Sequence, residues 1–341
     1  VVSMKILSVL IVTGLLAATY FTLTTSTVDE LDLHFNSFVT QYSKNYQNVE
    51  ERTFRMTIFK EQLDIINNHN AQGKSWTLGV NEFSDWTHEE YKKMLGFRST
   101  KNHAAEFETL GDLATNCKDL ELKDIDWRDE NRVTPVKNQG GCGSCWAFSA
   151  VANLEAAYAK QFGELVTFSE QQLVACNKFS HGCSGGLMYN GFTHWMHHAP
   201  LTEAEYPYDI PHATECQEGS VEATHEELEW GYRVDITREC LYEALTHNVV
   251  SVAIRAENDD FRSYKSGVIT GDGCGIDLDH GVTVVGYISK DNAWVIKNSW
   301  GPDWGEGGFV RIDNSKSVGT CGINQENSQA TYDDSEYRTA Y

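Results

Sequence analysis

The stretch NQGGCGSCWAFSA, Asn138 to Ala150, sets Cys142 and Cys145 close together among glycines. Such a thiol pair suits three chemistries: a redox dithiol, half of a zinc site, or a disulfide beside a nucleophile. The redox reading needs Cys142 and Cys145 to bond to each other, and zinc needs a second ligand pair at suitable spacing. The third reading needs an activated thiol and a base. A thiol is a weak nucleophile until ionised, and a helix amino terminus with a nearby imidazolium lowers its pKa by several units. The run AFSAVANLEAAYAKQFG reads as a helix that Gly163 stops and Ser144 caps, so Cys145 sits where that helix begins.

His280, in DLDHGVTVVGY, opens a strand in the other half of the chain and is the candidate base. Asn298, in VIKNSWG, ends another strand; its amide oxygen can accept from the imidazole, and Trp300 can shield that bond from water. Gln139 offers a side-chain N–H for an oxyanion, beside the backbone N–H of Cys145. His194, His197 and His198 in THWMHHA mimic a helical metal face, but no Glu follows the first His as in metalloprotease helices. Neither a metal nor a cofactor is expected.

QGGCGSCW together with DHGV and KNSWG resembles the papain-like cysteine proteases, the cathepsin L branch in particular. That family's C-G-[SA]-C-[WY] signature has its His and Asn about 130 to 150 residues downstream. The resemblance implies an α+β fold of two subdomains, a helical left domain and an antiparallel β-barrel right domain with the site between them, preceded by an α-helical propeptide domain. It implies an endopeptidase zymogen in which Cys145, His280, Asn298 and Gln139 hydrolyse peptide bonds through a thiolate–imidazolium pair and an acyl-enzyme. Cys142 is expected to pair with Cys183, Cys176 with Cys216, and Cys274 with Cys321, leaving Cys145 free. Gly185, Gly186 and Trp300 should border the substrate. Leu187, Met188, Ala253 and Leu278 correspond to the walls of the pocket for the second residue before the scissile bond, and Glu326 to its floor, which implies apolar residues there and an opening for arginine. Implied partners are protein or peptide substrates, the chain's own propeptide as an intramolecular inhibitor, and cystatin-like inhibitors; the protein should be a monomer. Cys117 and Cys240 fall outside the family pairs, and cysteine parity makes a fourth bridge between them attractive.

These residues need elements to hold them. Between Val28 and about Asn70 the pattern is that of two amphipathic helices, with Leu31, Phe35, Phe38 and Tyr42 on one stripe and Phe59, Leu63, Ile66 and Asn70 on another. Glu51, Arg55, Phe59, Gln62, Ile66 and Asn70 follow the family's first propeptide motif, with Gln62 replacing an asparagine. Gly79, Asn81, Phe83 and Asp85 in GVNEFSD follow its second. The expected organisation is a signal at 1–22, an inhibitory domain at 28–97, an activation linker at 98–120 and the peptidase at 121–341. The linker is polar and irregular, as a segment open to proteolysis is. A cut at low pH near Asn116 to Lys123 is expected, because protonating carboxylates such as Asp85 weakens a prosegment held by charged hydrogen bonds. Beyond it, VVSVAIRA, HGVTVVGYI, NAWVIKNSW and GFVRI read as strands.

Composition agrees with a secreted globular protein. The chain has 341 residues, 41% hydrophobic and 22% charged, enough to bury one or two cores. Met4 and Lys5 lead into ILSVLIVTGLLAA, an apolar run of about 13 residues, short of the ~20 that a membrane span needs. Nine cysteines behind such a leader favour disulfides, and the odd total leaves a thiol over. A net charge of −22, most of it after Leu120, argues against a nucleic-acid partner. The expected setting is a lysosome or other acidic vacuole, or the exterior, with no membrane attachment after processing. Two other classes share parts of the pattern: non-catalytic silicatein-like relatives, which replace the nucleophile, and free propeptide inhibitors, which lack the catalytic half. Cys145, His280, Asn298 and Gln139 together disfavour both.

Overall fold

A computed structural model describes residues 30–98, 112–113, 117, 120–210, 215–234, 237–271, 274–315 and 317–333. The leader at 1–22 and most of the 98–120 linker lie outside the described residues. Among those described, no helix is long and apolar enough to cross a membrane. The chain divides into two compact units, one of residues up to Ile65 with Val80–Trp86, the other of Ile66–Gly79 with Thr87 onward.

In the first unit, helix α1 (30–41) and the start of α2 (Val49–Asn70) meet through an aromatic core. Phe35, Phe38 and Phe59 are buried, and the Phe59 ring lies 5.4 Å from Phe35 and 4.8 Å from Phe38. Offset aromatic pairs of this kind add to the area term of burial. On α2, Phe59 and Gln62 are both buried. Glu51 and Arg55 form only a long pair at 4.0 Å. Arg55 Nη1 instead donates to the Asp85 carbonyl at 3.0 Å, while the Asp85 carboxylate accepts from Lys44 Nζ at 2.9 Å and Tyr46 OH at 2.8 Å. Asp85 is 2% exposed, and those donors satisfy its buried carboxylate. Asn81 Oδ1 accepts from Phe83 N at 3.0 Å, which makes the turn that buries Phe83.

The second unit is built on α4 (Cys145–Phe162), an alanine-rich helix whose Trp146, Ala147, Ala150, Val151 and Leu154 are buried. Gly163 ends it in the left-handed conformation (φ 73°), its N–H reaching Ala159 O at 3.0 Å. Ser144 holds the N-cap position, but its hydroxyl does not cap; it shares a hydrogen bond of 2.7 Å with Tyr208 OH. Helices α5 (Glu170–Cys176) and α6 (Met188–Trp195) pack on α4, with Phe168, Leu173, Phe192 and Trp195 filling the space.

The carboxyl half is mainly sheet, as its sequence pattern requires, with two short helices, α7 (Arg238–His247) and α8 (Asp259–Arg262). Strands β1 (Trp76–Leu78), β2 (Asp112–Leu113), β4 (Trp230–Val234), β5 (Val250–Ile254), β6 (Tyr264–Ile269), β7 (His280–Ile288), β8 (Ala293–Lys297), β9 (Phe309–Asp313) and β10 (Asn327–Thr331) run in the order β1-β6-β9-β8-β7-β5-β10-β4-β2, and β3 (Ile125–Asp126) pairs with β7. The sheet departs from a closed, wholly antiparallel barrel in two details. The path of described strands is open, and the pairings β6–β9 and β2–β4 are parallel. The open edges are taken by segments that precede the rest of the sheet in the chain: β1 lies antiparallel to β6 at one end, and β2 lies along β4 at the other. Covering an edge strand in this way satisfies its unpaired backbone groups. Asn70, the last motif position of α2, brackets Leu78 of β1 with two hydrogen bonds of 2.9 Å.

Four disulfides join Cys142 to Cys183, Cys176 to Cys216, Cys274 to Cys321 and Cys117 to Cys240. Cys145 is free and buried.

Candidate active site

Residue Cys145 opens α4, and His280 opens β7, whose first residues pair with β5. The backbone N–H of Gly281, next to His280, donates to Cys145 Sγ at 3.3 Å and so ties the sulfur to the start of that strand. Asn298 follows β8. Its Oδ1 accepts from Ser299 N at 2.9 Å, which marks it as the amide oxygen, so His280 Nε2, 2.8 Å away, is the protonated nitrogen. Nδ1 is then the basic nitrogen, and among the described residues it has no hydrogen-bond partner. The Trp300 ring lies 4.8 Å from the His280 ring, and Trp300 is 1% exposed, so the His280–Asn298 bond is closed to water. Beneath Asn298, the buried Lys297 donates to Thr134, which donates to Glu155, a carboxylate shared with Lys137. This buried polar network fixes the end of β8.

Gln139 is oriented from behind. Its Oε1 accepts from Ser299 Oγ at 2.7 Å and Trp300 Nε1 at 3.2 Å, which turns Nε2 forward. Nε2 donates to Cys142 O at 2.7 Å and to Met94 O at 2.8 Å. The donor expected to serve an oxyanion is therefore engaged by a residue that precedes the peptidase.

Met94 begins a strap that the sequence did not announce. Helix α3 (His88–Lys93) starts in a capping box, with Thr87 Oγ1 accepting from Glu90 N and the Glu90 carboxylate accepting from Thr87 N. After it, Gly96 N donates to Cys145 Sγ at 3.2 Å, Gly186 N donates to Gly96 O at 2.9 Å, Arg98 N to Gly186 O at 3.2 Å and Phe97 N to Asp279 O at 2.9 Å. Phe97 and Gly186 pair as a parallel bridge. A Cβ on Gly96 would lie 1.8 Å from Gly143 O, and one on Gly185 would lie 2.6 Å from Gly96 O, so the strap approaches as closely as it does because both positions are glycine. Gly185, with φ 110°, turns the chain into that contact. Phe97 is buried in the apolar cluster that also contains Leu187, Met188 and Ala253, with Leu278 packed against it. Glu326 is half-buried, and its carbonyl accepts from Ala253 N at 3.0 Å.

Closure sets the electrostatics. Burial pushes the Cys145 thiol up to about 11, against the N–H groups of Gly281 and Gly96, which favour the thiolate. Burial pushes His280 down to about 4, only partly opposed by its bond to Asn298. With the strap in place the pair is a neutral thiol and a neutral imidazole.

A free cysteine at a helix start, an imidazole oriented by an asparagine, and a glutamine side-chain donor are what thiol acyl transfer requires. Residues 122–331 match the papain family cysteine proteases. The chain belongs to the papain family. Residues 35–91 match the cathepsin propeptide inhibitor domain, so this papain-family chain is a zymogen carrying its own inhibitor. It is 41% identical over 310 residues to cysteine protease XCP2 of Arabidopsis thaliana, covering 87% of this chain and 85% of that protein. Among solved structures, a recombinant stem bromelain precursor superposes with a TM-score of 0.79 at 32% identity, covering 89% of this chain and 99% of that one. Procathepsin L 3 of the Tenebrio molitor larval midgut does so with a TM-score of 0.77 at 29% identity, covering 88% and 99%.

Proposed function

We propose that the chain is a cysteine endopeptidase zymogen, routed to an acidic vacuole or lysosome or secreted, with its signal at 1–22, prosegment at 28–97, activation linker at 98–120 and a monomeric peptidase from 121 that cystatin-like inhibitors can engage. The observation that carries this reading is the strap: prosegment backbone lies on the candidate nucleophile through Gly96 and on the candidate oxyanion donor through Met94. Once the strap leaves, water returns, and the thiolate and imidazolium become accessible. The Cys145 thiolate attacks the peptide carbonyl, and Gln139 Nε2 with the Cys145 N–H receives the oxyanion. His280 gives its proton to the leaving amine as the C–N bond breaks, leaving a thioester. It then takes a proton from water, whose oxygen attacks the thioester and expels the thiolate.

Acid should drive maturation by weakening the charged contacts that hold the prosegment, such as Lys44 with Asp85. The Cys145–His280 pair does not supply the sign: a neutral thiol and imidazole that open to a thiolate and imidazolium only pass a proton from one to the other. Asp279 is pushed up to about 6 by burial, but the groups around its carboxylate are Arg255, Ala256 and Glu257 of the enzyme itself, so strap release leaves it in place. Purified zymogen should persist at neutral pH and shorten at acid pH, with a cut near Asn116 to Lys123. Because Cys117 is bonded to Cys240, a cut before Cys117 frees the prosegment outright, while a cut after it leaves the prosegment tethered until reduction. Gels run with and without reductant distinguish the two; pH-independent maturation, or a full-length active chain, contradicts the reading.

The specificity pocket is assigned to Leu187, Met188, Ala253 and Leu278, with Gly185 and Gly186 along the substrate backbone. The prosegment's own Phe97 in that apolar cluster supports a preference for Phe or Leu. Glu326, held beside Ala253, supports a second preference for arginine, whose methylenes the walls would cover while the carboxylate pairs with the guanidinium. Z-Phe-Arg and Z-Arg-Arg substrates should both be cleaved by the matured enzyme, and Glu326→Ala should lose Arg-Arg cleavage about 100-fold while sparing Phe-Arg. Equal loss on both substrates removes Glu326 from the pocket.

A further inference from the structure

The carboxyl end of α6 carries a side-chain cluster that the proteolytic chemistry does not use. His194 lies in the last turn of α6 and His198 one turn further on; their rings stack with centroids 4.5 Å apart and 11° between planes. The 3-10 turn Glu218–Ser220 brings a carboxylate against both. Glu218 Oε1 lies 2.9 Å from His194 Nε2, and Oε2 lies 3.4 Å from His198 Nδ1. The donor atoms of all three residues fall within 4.8 Å of one another. The sequence alone set these histidines aside because no glutamate follows the first of them; the fold brings a carboxylate to them from 20 residues beyond His198.

Two imidazole nitrogens and one carboxylate oxygen form a donor set suited to zinc, which binds such atoms at ~2.0–2.2 Å in a tetrahedron. Ligands on a tetrahedron of that size stand about 3.4 Å apart, so the observed spacing needs only small side-chain shifts to close on an ion. The carboxylate is already oriented: Gln172 Nε2 donates to Glu218 Oε1 at 2.5 Å, as a supporting residue does for a metal ligand. His194 is 6% exposed and sits against the protein, while the His198 side chain is 48% exposed, which leaves water access to a fourth position. Cys176 and Cys216 also approach Glu218, but their sulfurs are bonded to each other and are not ligands. We propose that His194, His198 and Glu218 form a zinc site, completed by water, that braces the end of α6 to the Glu218–Ser220 turn. The site stands at the opposite end of α6 from Met188, and it does not depend on the catalytic assignment.

The test uses the full-length zymogen with Cys145→Ala, so that zinc cannot bind the cysteine thiolate. Calorimetric titration with zinc chloride at neutral pH should give one ion per chain. Adding His198→Ala or Glu218→Gln should weaken that binding at least about tenfold, with metal-free melting temperatures close to the parent's. Cobalt(II) gives a second readout on the intact cluster: the parent should develop the intensified visible absorption of a tetrahedral site, and zinc should bleach it. Undiminished zinc binding in His198→Ala, or a parent that binds no zinc and shows no cobalt band, overturns the proposal.

Discussion

Replacing Cys145 with alanine should lower peptide hydrolysis by roughly 10⁴ to 10⁶-fold, the scale on which removal of a covalent nucleophile acts when its partners remain. The chain should still fold. Cys145 is fully buried, but the substitution removes a single sulfur, and the four disulfides and the α4 core are untouched. The loss of Sγ deprives Gly96 N and Gly281 N of their acceptor, a cost of about 1 to 3 kcal/mol each. The measurement is kcat/KM on a Phe-Arg substrate after another protease has removed the prosegment, alongside a melting curve. A folded, matured Cys145→Ala protein with more than about a thousandth of the parental activity would remove Cys145 from the chemistry.

Substituting valine for Gly96 should destroy latency. The new Cβ would meet Gly143 O at 1.8 Å and the Gly143 carbonyl carbon at 2.3 Å, and neither backbone atom can swing aside as a long side chain could. The strap must lift. Lifting takes Gly96 N from Cys145 Sγ, Met94 O from Gln139 Nε2 and the Gly96–Arg98 bonds from Gly186. With hydrogen bonds at roughly 1 kcal/mol each and an overlap of a further 1 to 3, exposure of the thiol in the unprocessed chain should rise at least about 100-fold. Labelling of the full-length chain by an E-64-type epoxide at neutral pH, resolved by mass before any cut, reads this directly. A Gly96→Val zymogen that melts like the parent and labels no faster would show that the strap is not what closes the site.

The contrast between these two positions marks what the sequence could convey. Cys145, His280 and Asn298 were legible because each lies at the end of a locally readable element, and local pattern places element ends well. The β7, β8 and β9 strands were legible for the same reason, through their β-branched and aromatic runs. The strap was not, because MLGFR has no periodicity, and its meaning arises from two glycines, Gly96 and Gly143, that touch across 47 residues of chain. The pairing order of the sheet was equally hidden: the β-branched and aromatic content of GFVRI marks β9 as a strand, not that it runs parallel to β6. Ser144 stood at a cap position by sequence, yet its hydroxyl found Tyr208, a partner 64 residues away. Parity allowed a Cys117–Cys240 bridge, but only the approach of α7 to the linker makes it. Glu218 shows the limit again, since a ligand from a distant turn completes a pattern that looks deficient within one helix.

The account rests on a thiol that is shut off in the zymogen and ionised once the strap has gone. Alkylation of Cys145 by iodoacetamide from pH 4 to 9, in the zymogen with maturation blocked and in the matured enzyme, tests this most directly. The matured enzyme should react rapidly well below ~8.5, the ordinary thiol range, because its thiolate is held against His280. The zymogen should stay protected across that range. Equal rates in the two forms, or a matured enzyme whose reactivity rises only above ~8.5, would contradict it.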